Sequence, residues 1–234
     1  RLAAEGPEVR LFYETKSNLD RDDVALLRRA GVRAIQPGIE SLDTGTLRLM
    51  RKGTTAAQNL CLLRWCAEHG VGVAWNVLYG FPREDPAAAA RMAELVPLLH
   101  HLPPPSGAGR IRLDRFSPLF TRREDLVGVR PMPAYRWIFG LPAAALEQLA
   151  YFFDFDYADG RDPEAYAAPL VRAVARWIDP QRPRERLDAM RAGDVVMVTD
   201  TRAIAQRPAH VLSGALARLL LACDRPRKLA GPTT

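Results

Sequence analysis

Cysteine, histidine and lysine are all scarce in this 234-residue chain, with three, four and three copies. The odd set Cys61, Cys66 and Cys223 excludes a disulfide framework and points to a reducing compartment. Cys61 and Cys66 stand five apart in a helical pattern, a poor spacing for two ligands on one face, so all three read as small buried hydrophobes. His69 and His100-His101 fall at helix ends, and none forms a metal-ligand spacing with its neighbours, so no metal site is expected. Apolar runs such as Leu219–Cys223 fall far short of the ~18 residues that cross a bilayer. Charges at Arg1, Glu5, Glu8 and Arg10 exclude a signal peptide, and a cytoplasmic protein without a membrane partner is expected. There is no Gly-x-Gly-x-x-Gly, no P-loop and no Gly-x-Ser-x-Gly, which removes the usual dinucleotide, nucleotide and serine-hydrolase signatures. No initiator Met is present, and the chain reads as starting inside a domain, so a fragment is expected.

What is present is ordinary globular composition, with 48% hydrophobic and 26% charged residues. The 33 basic residues outnumber 27 acidic ones by six, but the two signs are interspersed. Only the tail Arg225-Pro226-Arg227-Lys228 clusters positive charge, so no nucleic-acid partner is expected.

The first 120 residues alternate strand-like and helix-like segments. Val9–Tyr13, Val32–Gly38, Val71–Tyr79 and Ile111–Phe116 read as strands. Helices are predicted over Leu19–Ala30, from about Asp43 to Met50, over Ala56–His69, and from Pro86 to about His100. Pro103-Pro104-Pro105-Ser106-Gly107 reads as a break. Alternation at this spacing predicts βαβ units and a parallel sheet, and the missing Gly-rich loop favours part of a barrel. Residues 121–190 form a second segment, with helices over Pro142–Phe153 and Pro163–Ile178 and a linker at Pro180–Pro183. The acids of Asp154–Asp159 read as a solvated loop. Residues 191–234 form a third, with Asp194–Thr199 and Ala209–Leu212 as a hairpin in which Asp194–Thr199 is an edge. Ser213 then caps a helix whose apolar stripe is Leu216, Leu219, Leu220 and Cys223.

In a parallel barrel, functional residues sit where strands end. That rule selects Glu14, Thr15 and Lys16, then Glu40 and Ser41, then Tyr79, Gly80 and Pro82, then Ser117 and Pro118. A carboxylate beside an ammonium at Glu14 and Lys16 suits a zwitterionic amino acid, or the two form a surface ion pair. Glu40 and Ser41 offer a carboxylate and a hydroxyl to a ligand, or Ser41 caps the next helix. Asn76 is a lone amide in an apolar strand and needs a partner. Gly80-Phe81-Pro82 lets backbone approach a ligand, or makes a tight turn.

Four segments together resemble one family. Glu14-Thr15-Lys16-Ser17-Asn18-Leu19 is similar to the third-strand segment of radical S-adenosylmethionine (SAM) enzymes. Gln36-Pro37-Gly38-Ile39-Glu40-Ser41-Leu42, with Met50-Arg51-Lys52-Gly53-Thr54-Thr55, resembles their fourth. Asn76–Asp85 resembles the fifth and Arg115–Phe120 the sixth. Leu149–Asp154 and Asp200-Thr201-Arg202 resemble a narrower group, the maturation radical SAM proteins that modify ribosomally made peptides.

The resemblance implies an α/β fold: the C-terminal half of a partial (β/α)6 barrel, a helical extension, and a small winged-helix-like module. It implies SAM and a [4Fe–4S] cluster as cofactors, with cobalamin in many relatives that methylate unactivated carbons, and a precursor peptide as partner. In the family a Cys-x3-Cys-x2-Cys loop holds the cluster, and reductive cleavage of SAM yields a 5′-deoxyadenosyl radical. Glu14 is then expected at the SAM amine and Lys16 at its carboxylate, with Glu40, Ser41 and Gln36 toward the ribose or methionine. Asn76, Gly80 and Pro82 line the adenosyl side. The chain has no Cys-x3-Cys-x2-Cys, so the ligands of the cluster are not in it. Two other functions fit the same residues: a non-catalytic peptide-binding protein on a degenerate barrel, and an unrelated parallel α/β enzyme with Glu14 or Glu40 as general base.

Overall fold

A computed structural model of the chain describes residues 10–227. Val9, predicted to open the first strand, and Lys228, in the basic tail, lie outside the described residues. The first elements alternate as the sequence predicts: β1 (Leu11–Thr15), α1 (Arg21–Arg29), β2 (Val32–Pro37), α2 (Thr44–Leu49) and α3 (Ala56–His69). Then come β3 (Gly72–Val73), β4 (Asn76–Tyr79), α4 (Pro86–Leu95), a 3-10 turn at Val96–Leu99, and β5 (Gly107–Arg110). Local chemistry explains the boundaries. Asp20 and Thr55 start α1 and α3 with reciprocal capping boxes, Asp85 caps α4 ahead of Pro86, and Gly70 ends α3 at φ 64°.

The strands are parallel in the order β1-β2-β3 and β4-β5. A parallel bridge between Glu40 and Val77, with the Ala74 N–H donating to the Ile35 carbonyl at 2.9 Å, joins the two groups. One face of this array is buried under helices. Val24, Leu62, Trp65 and Cys66 cover Val32, Ile35 and Val71, while Leu63, Met92 and Val96 cover Ile39, Trp75, Val77 and Tyr79. The other face leaves Phe12, Glu14, Gln36, Gly72 and Asn76 exposed.

The predicted strand Val71–Tyr79 is split into β3 and β4, and the last parallel strand is β5, not the predicted Ile111–Phe116. Its Gly-Ala-Gly-Arg sequence carries no β-branched or alternating signal, and its first residue, Gly107, falls in the predicted break. Leu113–Asp114 (β6) instead joins an antiparallel sheet with β7 (Leu126–Pro131) and β8 (Phe152–Tyr157), in the order β6-β8-β7. Between them lie α5 (Pro118–Thr121), α6 (Ala134–Phe139) and α7 (Ala143–Leu149). The predicted helix over Pro142–Phe153 therefore stops at Leu149, and the segment read as a solvated acidic loop is largely the central strand. Its aromatic–acid alternation is the strand period: Phe153, Phe155 and Tyr157 are buried with Leu113 and Leu126, while Asp156 is exposed. Helix α8 (Pro163–Ile178) has the predicted bounds and packs Ala167, Leu170, Val174 and Trp177 into the core beneath β4.

The C-terminal pair is a three-stranded meander of β9 (Leu187–Ala192), β10 (Val195–Asp200) and β11 (Ala209–Leu212), ordered β11-β10-β9. This overturns the reading of Asp194–Thr199 as an edge: β10 is central and the edges are β9 and β11. The sequence Leu-Asp-Ala-Met-Arg-Ala hid β9, because charges and alanines are poor strand formers. Helix α9 (Gly214–Ala222) follows, but Ser213 makes no side-chain cap bond and only Ala217 is buried. The predicted stripe Leu216, Leu219 and Leu220 faces outward, and Cys223 is exposed.

The meander is fastened to the rest by charge. Arg202 bonds Asp200 at 2.6 Å and donates to the Leu98 carbonyl at 2.7 Å, and both side chains are largely buried. The guanidinium holds the Asp200 carboxyl down at about 2, so this stabilisation is complete above the ordinary aspartate range and fades as pH falls toward 2. Asp200→Asn should therefore lower stability by about 1–2 kcal/mol at pH 7, with the difference closing near pH 2. Urea unfolding of parent and variant across that range checks it, and a gap independent of pH would contradict the pairing.

Candidate functional site

The C-terminal ends of the parallel strands bring together part of the set predicted from the sequence. Glu14 on β1 is paired in register with Gln36 on β2, and both side chains are exposed on the uncovered face. Lys16 follows one residue past β1 and is exposed. Asn76 opens β4 on the same face, opposite Gly107, where a side chain would meet open space. Among the described residues no side-chain hydrogen bond or ion pair engages Glu14, Lys16, Gln36 or Asn76. Glu14 and Lys16 thus do not form the surface ion pair that spacing alone allowed, and both charges stay available to a ligand.

Glu40 sits at φ 54°, in the left-handed region that a non-glycine residue enters at a cost of order 1–3 kcal/mol. It accepts from Lys52 at 2.7 Å, with both side chains about one-third exposed. A Cβ on Gly38 would lie 3.2 Å from the Lys52 ammonium, a tight contact that the end of the lysine side chain would relieve by moving a few tenths of an ångström. Lys52 was missed as a site residue. Its signal lay in Met50-Arg51-Lys52-Gly53, where α2 ends: Arg51 turns the chain at φ 55° and the Lys52 N–H donates to the Leu47 carbonyl at 3.0 Å. The strand end itself is pinned from behind, because the buried Asn59 amide of α3 donates to the Ile39 and Ser41 carbonyls at 3.2 and 3.0 Å.

Three predicted residues do not face this surface. Ser41 is fully buried, donates to the Met92 sulfur at 3.5 Å and accepts from the Asp43 N–H at 3.1 Å; it enters the helix, and Asp43 is the cap of α2. Gly80 is buried, with its N–H donating to Glu84 at 2.6 Å and its carbonyl accepting from the Tyr157 hydroxyl. Its backbone is closed by the protein, with Pro82 half-buried in the same turn. Ser117 caps α5 by accepting from the Phe120 N–H at 3.1 Å, and it follows β6 of the antiparallel sheet rather than a barrel strand.

Glu84, also missed, is the hub of that turn. It is buried and accepts from Gly80, from Tyr166 at 3.0 Å and from Thr46 at 3.3 Å. Burial pushes its carboxyl up, against the donors that pull it down. Beside it, the Tyr79 hydroxyl donates to Glu164 at 2.7 Å, and burial together with that carboxylate pushes the phenol up to about 12. A cleft of about 280 Å³ opens next to Glu164 and Arg110, whose guanidinium stacks on Phe155 and Tyr157 at 4.6 and 4.9 Å.

The cysteines do not converge on the strand ends. Cys61 and Cys66 lie on α3 against the outer core, and burial pushes the Cys66 thiol up to about 12, the opposite of a thiolate ligand. No group of three His, Cys, Asp or Glu side chains among the described residues is placed to hold a metal ion. No described helix is long and apolar enough to cross a membrane.

Residues 1–96 match the family model of the radical SAM superfamily. It carries Glu14, Lys16, Gln36, Glu40, Lys52, Asn76 and Glu84, and leaves Ser117 outside. Among solved structures the chain is similar to a radical S-adenosylmethionine methyltransferase, TsrM from Kitasatospora setae, in two forms. One holds cobalamin and a [4Fe-4S] cluster, the other a tryptophan substrate and the SAM analog aza-SAM. Each match has 19% identity and a TM-score of 0.47 and covers 74% of this chain. The chain spans 36% of the length of those proteins. No curated protein matches.

The closed turn at Gly80 makes a direct prediction. A methyl group there would lie 2.8 Å from the Tyr157 hydroxyl at a backbone φ of 86°. Gly80→Ala should lower stability by about 1–3 kcal/mol. Tyr157→Phe removes the nearest atom, so the double variant should be less destabilised than the sum of the singles. Denaturation of all four proteins measures this, and strict additivity would refute the contact.

Proposed function

We propose that this chain is part of a radical SAM enzyme, with SAM bound on the open face at the strand ends. The observation that carries this reading is a coincidence of two independent facts. The residues matched to the superfamily are those that place Glu14, Lys16, Gln36 and Asn76, unpaired, on one exposed face. The donor set suits SAM: a carboxylate for its α-ammonium at Glu14, a cation for its carboxylate at Lys16, and amides at Gln36 and Asn76 for hydroxyls and ring nitrogens. Glu40, held by its ion pair with Lys52 at 2.7 Å, would be a fixed acceptor at the same strand end. Bound SAM would supply the adenosyl or methyl group, and these side chains would orient it.

The [4Fe–4S] cluster does not fit the residues present, because burial pushes the Cys61 and Cys66 thiols up and none of the three cysteines lies at the strand ends. Its ligands would come from polypeptide outside these 234 residues. Cobalamin likewise has no residues assigned to it here.

The finer reading is modification of a ribosomally made peptide in the cytoplasm, with C-methylation as the reaction. The support is the resemblance of Leu149–Asp154 and Asp200–Arg202 to peptide-maturation enzymes, together with the exposed edge strand β9, which offers unpaired backbone groups to an extended peptide. The second reading, a non-catalytic peptide-binding protein, is favoured by the cysteine placement alone.

Titration of SAM into the whole polypeptide tests the first reading. Glu14→Ala and Lys16→Ala each remove a charge-assisted hydrogen bond worth about 1.5–3 kcal/mol, a loss of roughly ten- to a hundredfold in affinity. Arg28→Ala, on the outer helix α1, should leave affinity unchanged. Glu14 and Lys16 variants that bind SAM like the parent would remove the assignment, and no SAM binding by the parent would favour the second reading.

A further inference from the structure

We propose that the cleft at the ends of β4 and β5 binds a free α-amino acid, with its carboxylate on Arg110 and its ammonium on Glu164. The cleft is lined by Arg110 of β5, by Tyr157 of β8, by Arg161, and by Pro163 and Glu164 in the first turn of α8. Tyr79 and Arg110 are paired in register as the last residues of two parallel strands, so the cleft lies at the same end of the strands as Glu14 and Gln36. Its walls converge on Gly80. A Cβ there would lie 2.8 Å from the Tyr157 hydroxyl, 3.2 Å from Pro163 and 3.4 Å from the Arg110 stem. The closed turn therefore fixes Arg110 and the start of α8 around one point.

Most charges in the cleft are already used. Arg161 bonds Asp159 at 2.6 Å and donates to the Phe81 and Glu84 carbonyls at 3.3 and 3.0 Å. Asp156 is paired with Arg130 at 2.9 Å, and Asp162 caps α8 by accepting from the Glu164 and Ala165 N–H groups. Two groups are not. The Arg110 guanidinium donates to the Phe155 carbonyl at 3.0 Å, its buried Nε has no acceptor, and no carboxylate among the described residues pairs with it. The stack on Phe155 and Tyr157 holds it in place, so it is a prearranged cation without a counter-ion. A guanidinium fork in that state suits a carboxylate. Glu164 accepts from the Tyr79 hydroxyl through one oxygen at 2.7 Å, and its other oxygen has no partner among the described residues. Both charges reach that hydroxyl: burial and the Glu164 carboxylate push the phenol up, and the Arg110 guanidinium pulls it down.

Size and charge select the ligand. At about 280 Å³ the cleft falls just below the ~300–1,000 Å³ of pockets that take drug-sized molecules, which is small for a nucleotide and suits a single amino acid. A simple anion would face Glu164, Asp156 and Asp162 on the same wall, and a simple cation would face Arg110. A zwitterion satisfies both free groups at once. A residue inside a peptide carries neither charge at its α carbon, so this ligand is distinct from the precursor peptide proposed above. Arg110 and Glu164 are also separate from Glu14 and Lys16, so each site stands or falls by its own titration.

The twenty standard L-amino acids, screened singly against the whole polypeptide by saturation-transfer NMR and then titrated, test this. At least one should bind with a dissociation constant below about 1 mM. Its carboxamide and its N-acetyl derivative each lack one charge and should bind at least about tenfold more weakly. Arg110→Gln should weaken the amino acid about tenfold and bind acid and amide alike. Glu164→Gln, which can still accept from Tyr79, should bind the amine and its N-acetyl derivative alike. Arg172→Gln, exposed elsewhere on α8, should change nothing, and saturating SAM should leave the affinity as it was. Failure of all twenty to bind below about 1 mM would overturn the proposal. So would variants that keep the parent's discrimination, or displacement by SAM, which would give the cleft to SAM's own methionine end. Glu164 is exposed, so Glu164→Gln remains decisive should Arg110→Gln fail to fold.

Discussion

Burial of one face of a short parallel strand array, and not the other, governs the rest of the structure. Parallel strands are ordinarily covered on both sides. Here α1, α3, α4 and α8 cover one face with Val24, Leu62, Met92 and Leu170, while the other carries Glu14, Gln36 and Asn76 among small residues. The strand period forces the division: when Ile35 and Val77 turn toward the helices, Gln36 and Asn76 must turn away. A polar, ligand-facing surface is thus a by-product of building the core, and its side chains are free because the scaffold has no internal use for them.

A second constraint acts at the end of β4. Glu84 is a carboxylate taken out of water, stable only because Gly80, Tyr166 and Thr46 all donate to it. Those donors come from the turn itself, from α8 and from α2, so one buried acid fixes three elements around the strand end. Gly80 and Tyr166 share one oxygen, so removing Thr46, the donor to the other, leaves an unmatched buried acceptor, a loss larger than the net value of the bond itself. The same logic appears on a smaller scale in Asn59, whose amide holds the Gly38–Ser41 bend from the helix side. The face that meets a ligand is therefore shaped mainly by residues that never touch one.

The segments after β5 use their apolar residues differently. In β8 the aromatics at 153, 155 and 157 point inward and make a core of their own, while in α6 and α9 large apolar side chains remain outside. Only the first arrangement is self-sufficient. The other two leave large apolar surface exposed, and each is held in place by hydrogen bonds: α6 through the Tyr135 hydroxyl, which accepts from the Tyr151 and Phe152 N–H groups, and the end of α9 through Arg64, which donates to the Cys223 and Asp224 carbonyls.

Much of this was legible in the sequence, for local reasons. The caps at Asp20, Thr55 and Asp85, the stop at Gly70 and the bounds of α8 follow from residue chemistry within a turn of each boundary, and the polar residues at strand ends follow from the βαβ pattern. The strand β5 was not legible, because Gly-Ala-Gly-Arg has no propensity of its own and is a strand only through its neighbour β4. Nor was β9, which pairs because β10 offers it an edge. Ser41, Gly80 and Ser117 carry the right chemistry in the right order, yet tertiary contacts from Met92, Tyr157 and the antiparallel sheet turn them away from the open face. Lys52 and Glu84 gained their places the same way, from partners 12 residues behind and 82 residues ahead in the chain. Sequence alone decided where elements begin and which faces are apolar, since both depend on neighbours within a few residues. Only the tertiary structure decided which polar side chains stay free, since that depends on which distant donor or acceptor reaches them first.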